Sequence, residues 1–574
     1  MDDVDLIIRN GLVIDGLGNE PFEAHVAISG GKIVSVGQEM PNAKEQLDAK
    51  GMLVTPGFID IHTHYDGQVM WENTTAPSSD HGVTSVVMGN CGVGFAPCKP
   101  QDRDRLIRLM EGVEDVPELV MTTGLPWNWE TFPEYLDALE RRTGDVDVAA
   151  QLPHSCLRVF VMGERASSRE VATDEDLAQM TKLTREAMLA GAIGFGTSRT
   201  LFHQDRDGGA IPTKNADARE LDAIALGMKQ ASAGVLQAVF DSDDIEGNIN
   251  LFRGVAERSG RPLSFSLAQL LDHPEAWRRG LDLVEDANRA GVDMKAQIIG
   301  RPTGLLIGLD LSFNPFSLHP TYRAIAKLPL SEKIRIMRQP EIREQILSEQ
   351  PSDPDYPALK YLERFDWMFP LGDPPNYEPS PDTSIAARAA RNGTTPQEEA
   401  YDLLLDNEGQ SILFVTVANY ADGNLNATYA MLSDRNTLLG LGDGGAHYGV
   451  VCDAGAPTHM LTYWARDREG ERFSVQHVIR QLTSAPARAM RLFDRGIVKP
   501  GYKADLNIID FDRLKLMSPT VRYDLPAGAR RIVQKAQGYH ATLVSGIITA
   551  RDGVSTGALP GRLIRGEQAA PDLG

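Results

Sequence analysis

Eight short apolar runs, most of them separated by stretches of helical periodicity, constrain this chain more than any other feature. They lie at 54–61, 83–88, 146–152, 192–196, 234–240, 262–267, 292–298 and 438–442. Runs of this length fit buried strands, and segments such as 175–190, 216–233, 248–259 and 275–290 carry the spacing of amphipathic helices. Alternating strand and helix imply a parallel sheet with crossover helices, and eight such units predict a TIM-like (β/α)8 barrel. A site on such a barrel belongs at the C-terminal ends of the strands.

The seventh connection, 299–437, is far longer than a loop and helix require, so it is an insertion with structure of its own. Within it, 351–381 is rich in proline and in aromatics (Tyr356, Tyr361, Phe365, Trp367, Phe369, Tyr377). That composition suits a stiff cover over the barrel mouth, with a subunit-contact arm as the alternative. Glycine-punctuated strand runs occupy residues 4–54 and return in 496–560. Each set is too small to bury a core alone, so the two ends are expected to pair into one discontinuous β-sandwich. The expected division is 1–54 with 496–560 for the sandwich and 55–495 for the barrel. His25 falls in the sandwich, away from any chemistry.

A chain of 574 residues with a formal charge of −22 argues against nucleic acid or an anionic membrane surface as partner. No apolar run reaches the ~18 residues of a membrane helix. Four cysteines (Cys91, Cys98, Cys156, Cys452) and an acidic start, Met1-Asp2-Asp3-Val4-Asp5, lead to the expectation of a cytoplasmic protein with free or metal-bound thiols. A homo-oligomer is left open.

The first run leads into Asp60-Ile61-His62-Thr63-His64. Side chains alternate along a strand, so His62 and His64 project to one side and can hold one metal ion. After the second run, Gly89-Asn90-Cys91-Gly92 makes a sharp turn that brings Cys91 to the same rim. The eighth run ends in Gly442-Asp443-Gly444-Gly445-Ala446-His447, so an acid faces the same place. A His, His, Cys, Asp set favours zinc, with Asp443 as ligand and general base. His447 either polarises a carbonyl or packs.

The histidine pair, with His81-Gly82-Val83 to Cys91-Gly92, Met110-Glu111-Gly112-Val113-Glu114-Asp115, Trp127-Asn128-Trp129, Val161-Met162-Gly163-Glu164-Arg165 and Asp443 to His447, resembles the amidohydrolase superfamily, and within it the D-aminoacylase or N-acyl-D-amino-acid deacylase family. The resemblance implies a barrel with a β-sandwich and zinc-dependent hydrolysis of a small-molecule amide. It also implies His62, His64 and Asp443 around one metal position, with Cys91 as thiolate ligand. Two further histidines that complete a second metal position in such deacylases are replaced by Val239 and Leu267, and no lysine on strand four offers a carbamate, so one zinc per chain is expected. Gln237, Gln269 or His203 are the alternatives that would restore the lost ligands. Gln269 also falls where the resemblance implies a carboxylate-reading lysine, which leaves Arg199, Arg158 or Arg301 to read a substrate carboxylate or to serve structure. His203 and His154 are pocket or packing residues. The leading expectation is hydrolysis of an acyclic amide such as an N-acyl amino acid. The rivals are a cyclic-amide hydrolase and a non-catalytic ligand-binding relative.

Overall fold

The predicted runs fold as one parallel eight-stranded sheet: β1 (Phe58–Asp60), β2 (Val83–Met88), β3 (Asp147–Pro153), β4 (Gly194–Ser198), β5 (Val235–Val239), β6 (Leu263–Ser266), β7 (Met294–Ile298) and β8 (Thr437–Leu439). The computed structural model describes residues 3–572 except Asp355 and Pro357; Met1, Asp2, Leu573 and Gly574, and the two named members of the 351–381 stretch, lie outside the described residues. The strands pair in the order β8-β7-β6-β5-β4-β3-β2-β1. The seam between the outer two is bridged just beyond their ends, where Asp443 N–H donates to His62 O at 3.0 Å and His64 N–H to Gly444 O at 2.8 Å.

Crossover helices wrap the sheet where their apolar stripes predict. Asp174–Ala190 begins with a capping box between Thr173 and Asp176, which satisfies orphan N–H groups, and stops at Gly191 with φ +108°. Its Met180, Ala187 and Met188 are buried against the barrel. Phe195, Leu236, Phe265 and Met294 from the strands belong to the same core.

The two chain ends form one mixed nine-stranded sheet, so the expected end domain is present. Leu53–Pro56 pairs in parallel with Val4–Val13 and antiparallel with Leu506–Ile509. The first predicted run is therefore two strands: 53–56 serves the end sheet and Phe58–Asp60 the barrel. Gly57 makes the step, because a Cβ there would lie 2.2 Å from Thr84 Oγ1. The strand Ala43–Asp48, polar on most positions, carries no apolar signal and was not expected.

The insertion has its own three-stranded antiparallel sheet, Thr303–Ile307, Leu413–Ala418 and Met368–Pro370. Its separate core includes Ile307, Phe316, Met337, Leu362, Leu404 and Val415. The stretch 351–381 is part of that core through Leu362, Phe365 and Met368. Within the insertion Tyr377 lies under the Arg301 guanidinium at 4.3 Å, and the stretch touches a barrel loop where Lys360 Nζ sits 5.4 Å from the Phe202 ring centre.

Candidate metal centre

His62 and His64 leave the C-terminal end of β1 into the barrel mouth, both almost fully buried. Cys91 leaves β2 through a turn in left-handed backbone, with φ +84° at Gly89, +55° at Cys91 and +69° at Gly92. A Cβ on Gly89 would sit 2.4 Å from Gln151 O, so the turn accepts no other residue there. Asp443, φ +45°, is held by its N–H on His62 O. Donor atoms of His62, His64 and Cys91 all lie within 4.8 Å of one another.

The separations suit a shared ion. His62 Nε2 is 3.3 Å from Cys91 Sγ, and Asp443 Oδ1 is 3.7 Å from His62 Nε2 and 3.6 Å from His64 Nε2. Two ligands of one tetrahedral zinc stand about 3.4–3.6 Å apart, by the usual bond lengths. His62 Nδ1 lies 2.8 Å from Gln297 Oε1, an acceptor, so the ring proton sits on Nδ1 and the Nε2 lone pair points at the cluster. Asp443 Oδ1 is buried with no hydrogen-bond partner among the described residues.

The electrostatics also favour a cation. Burial pushes the His62 imidazole down to about 4, against the pull of Asp443, so it is neutral at pH 7. Burial, then the charges of Glu114, Asp443 and Asp66, push the Cys91 thiol well above its ordinary range. Burial raises Asp60 and Asp66 to about 7 and Glu114 well above a normal carboxyl, with Asp443 adding to the rise at Asp60 and Glu114. At Asp443 burial works in the same direction, but the His64 ring 3.6 Å away and the charges of His62 and His447 outweigh it and hold the carboxyl low. A positive ion at the centre would relieve this crowding of acids.

The other sequence candidates divide. His447 joins the cluster, its ring centre 6.4 Å from that of His64. Half-buried His203 is close enough that, after burial, the charges of His64, His447 and His62 help push it down to about 3. His154 is not a pocket residue: its Nδ1 pairs with Thr197 Oγ1 and its Nε2 with Glu220 Oε1, each at 2.8 Å. Arg158 is taken up by Glu220 and the Glu170 carbonyl. Arg199 donates to the Ala216 carbonyl, which ties down a loop.

Gln269 clasps the insertion, donating to Asp422 at 2.8 Å and accepting from Ala421 N–H at 3.0 Å, so its amide is not free for a ligand or a metal. Arg301 is neutralised by Asp453, 3.0 Å from its Nε. Leu267 is in the core and Val239 packs against it. Gln237 is different: its Oε1 accepts Cys91 N–H at 3.2 Å and its Nε2 is buried without a partner among the described residues.

Glu114 and Gln297 were not expected at the site, and Gln237 was expected only as a replacement metal ligand, whereas its Oε1 holds the Cys91 backbone. Their signal was polarity inside an apolar pattern. Gln237 and Gln297 interrupt strand runs, and Glu114 lies four residues beyond Met110 and seven beyond Ile107 on the buried stripe of the helix Arg103–Glu114.

Residues 45–550 match the amidohydrolase family. An uncharacterised protein of Mycobacterium tuberculosis is 28% identical over 543 residues, covering 88% of this chain and 84% of its own length. A D-aminoacylase structure, described in terms of a binuclear metal centre with one-metal activation and second-metal attenuation, gives a TM-score of 0.67 at 22% identity, covering 98% of this chain and 100% of that one. N-acyl-D-glutamate deacylase of Bordetella bronchiseptica, complexed with zinc and a phosphonate mimic of the tetrahedral intermediate, gives 0.64 at 20% identity with the same coverage. These two likenesses show the shared fold.

Proposed function

This chain belongs to the amidohydrolase family, and from that premise we propose that it is a zinc-dependent hydrolase of small acyclic amides with one metal position formed by His62, His64, Cys91 and Asp443. The observation that carries this reading is the convergence of three donors within 4.8 Å beneath an unpartnered Asp443 oxygen. The zinc complex of the Bordetella deacylase and the one-metal activation described for D-aminoacylase support the choice of ion and the count. The engagement of Gln269 and the apolar Leu267 and Val239 support a single position.

Bound there, zinc supplies Lewis acidity and lowers the pKa of water. Asp443 is ionised at neutral pH, takes a proton from the attacking water and returns it to the leaving nitrogen, so that amide and water become carboxylic acid and amine. His447, half-buried beside His64, borders the cluster as a neutral imidazole whose Nδ1 lone pair can accept a hydrogen bond from the substrate. The insertion, through Lys360 above Phe202, and His203 on the loop beside it border the approach and set which acyl groups fit.

Because Arg158, Arg199 and Arg301 all have protein partners, N-acyl amino acids and neutral acyclic amides belong in one substrate panel. The test is zinc analysis of the purified chain and turnover of that panel with and without chelator. Activity lost on chelation and restored by zinc is expected. A zinc-loaded protein that turns over no amide would refute the reading.

A further inference from the structure

Glu114 is an acid in an unfavourable place. It is the last residue of the helix Arg103–Glu114 and is 1% exposed. A carboxylate at a helix C-terminus opposes the helix dipole, and burial adds a larger penalty. Neither oxygen has a hydrogen bond by strict geometry among the described residues. Yet Oε1 is 3.4 Å from His64 Nδ1 and Oε2 is 3.4 Å from His447 Nε2. One carboxylate therefore stands between a ring of the metal cluster and the ring beside it.

The backbone fixes this arrangement. His447 N–H donates to Glu114 O at 2.5 Å, and Gly449 N–H donates to the Asp115 carboxylate at 2.9 Å. Asp115, with φ +50°, ends the helix and turns the chain so that both acids face the loop that follows β8.

We propose that Glu114 is the positioning residue of this site, accepting the Nδ1 proton of His64 with one oxygen and the Nε2 proton of His447 with the other. The arrangement sets two tautomers at once. His64 keeps its Nε2 lone pair for the ion position it shares with Asp443, and His447 keeps its ring at a fixed T-shaped angle to His64. The carboxylate couples the hold on the metal to the residue offered to the substrate. The proposal rests on the metal reading above, since a bound ion is what leaves His64 Nε2 without a proton.

Glu114→Gln keeps the shape but has one acceptor oxygen, so it can serve one ring only. Expected is a loss of zinc retention against graded chelator on the order of 10- to 100-fold, together with a fall in kcat larger than the change in KM. His447→Gln should lower kcat while retaining zinc as the wild type does, and the double variant should be no slower than Glu114→Gln alone. Wild-type zinc retention in Glu114→Gln, or kcat losses that multiply in the double variant, would overturn the proposal. Histidine-selective nitrogen NMR of the unaltered zinc-loaded chain gives a check that needs no substitution. Protons on Nδ1 of His64 and Nε2 of His447 are expected, and the opposite tautomer on either ring would overturn it, whatever the chain turns over.

Discussion

Replacing Gln297 with leucine isolates the amide that holds His62. Gln297 is fully buried on β7, its Oε1 2.8 Å from His62 Nδ1 and its Nε2 donating to Ser264 Oγ at 2.8 Å. Leucine has similar bulk, so little cavity is left, and the Ser264 hydroxyl can rotate. In the metal-free protein the imidazole escapes by moving its proton to Nε2, toward Cys91 and Asp443. A bound ion occupies Nε2 and forces the proton back to Nδ1, where it now lacks an acceptor. An unpaired buried donor costs about 1–3 kcal/mol, and that penalty falls on the loaded state. Metal affinity should therefore drop by about 5- to 150-fold, with little change in the melting of metal-free protein. Chelator competition and thermal unfolding of both forms make the measurement. An affinity within twofold of wild type, or equal destabilisation of the two forms, would refute the reasoning.

Cys91→Ala should lose both zinc and turnover, whereas Asp443→Asn should keep much of the zinc and lose about 10²- to 10⁴-fold in kcat; two tight zinc equivalents in the unaltered chain, by elemental analysis, would sink the single-ion reading. The Cys91 thiol is raised and so protonated near pH 7, while His62, lowered to about 4, is already neutral. Binding must expel at least the thiol proton, so apparent zinc affinity should rise about tenfold per pH unit between pH 6 and 8; a flat profile contradicts this. Gly445→Ala introduces a Cβ 2.8 Å from the His64 backbone at φ +87°, a left-handed strain of about 1–2 kcal/mol. Its far-UV CD should be unchanged while kcat falls about 100-fold, and a kcat within twofold of wild type would show that the loop adjusts freely.

The barrel strands were legible because each is buried on both faces and so reads as a continuous apolar run. The error at 54–61 has the same origin: Leu53–Pro56 and Phe58–Asp60 are equally buried, and only the packing of Gly57 on Thr84 divides them. Ala43–Asp48 was invisible because it is an edge strand whose ladder, not its side chains, holds it. In the site, His62, His64, Cys91 and Asp443 could be read from their places after strands. His154 and Gln269 sit at similar strand ends, yet their partners, Glu220 and Asp422, come from distant segments that no local pattern announces. Glu114 was hidden for the opposite reason, since a single acid near a helix end ordinarily reads as solvent-facing.

The two hydrogen bonds that bridge β1 and β8 run through residues of the candidate metal cluster itself, His62 with Asp443 and His64 with Gly444. Assembly of the centre is thus the same event as closure of the ring, and it joins segments made near the beginning and near the end of synthesis. Such long-range pairing forms slowly and late. A nascent chain halted anywhere before the eighth strand would carry His62, His64 and Cys91 without their acid, and its first strand would present an open edge. Ion uptake by a chain emerging from the ribosome would then report completion of the barrel, and a zinc-sensitive dye in a pulse-refolding experiment would time the last step of folding.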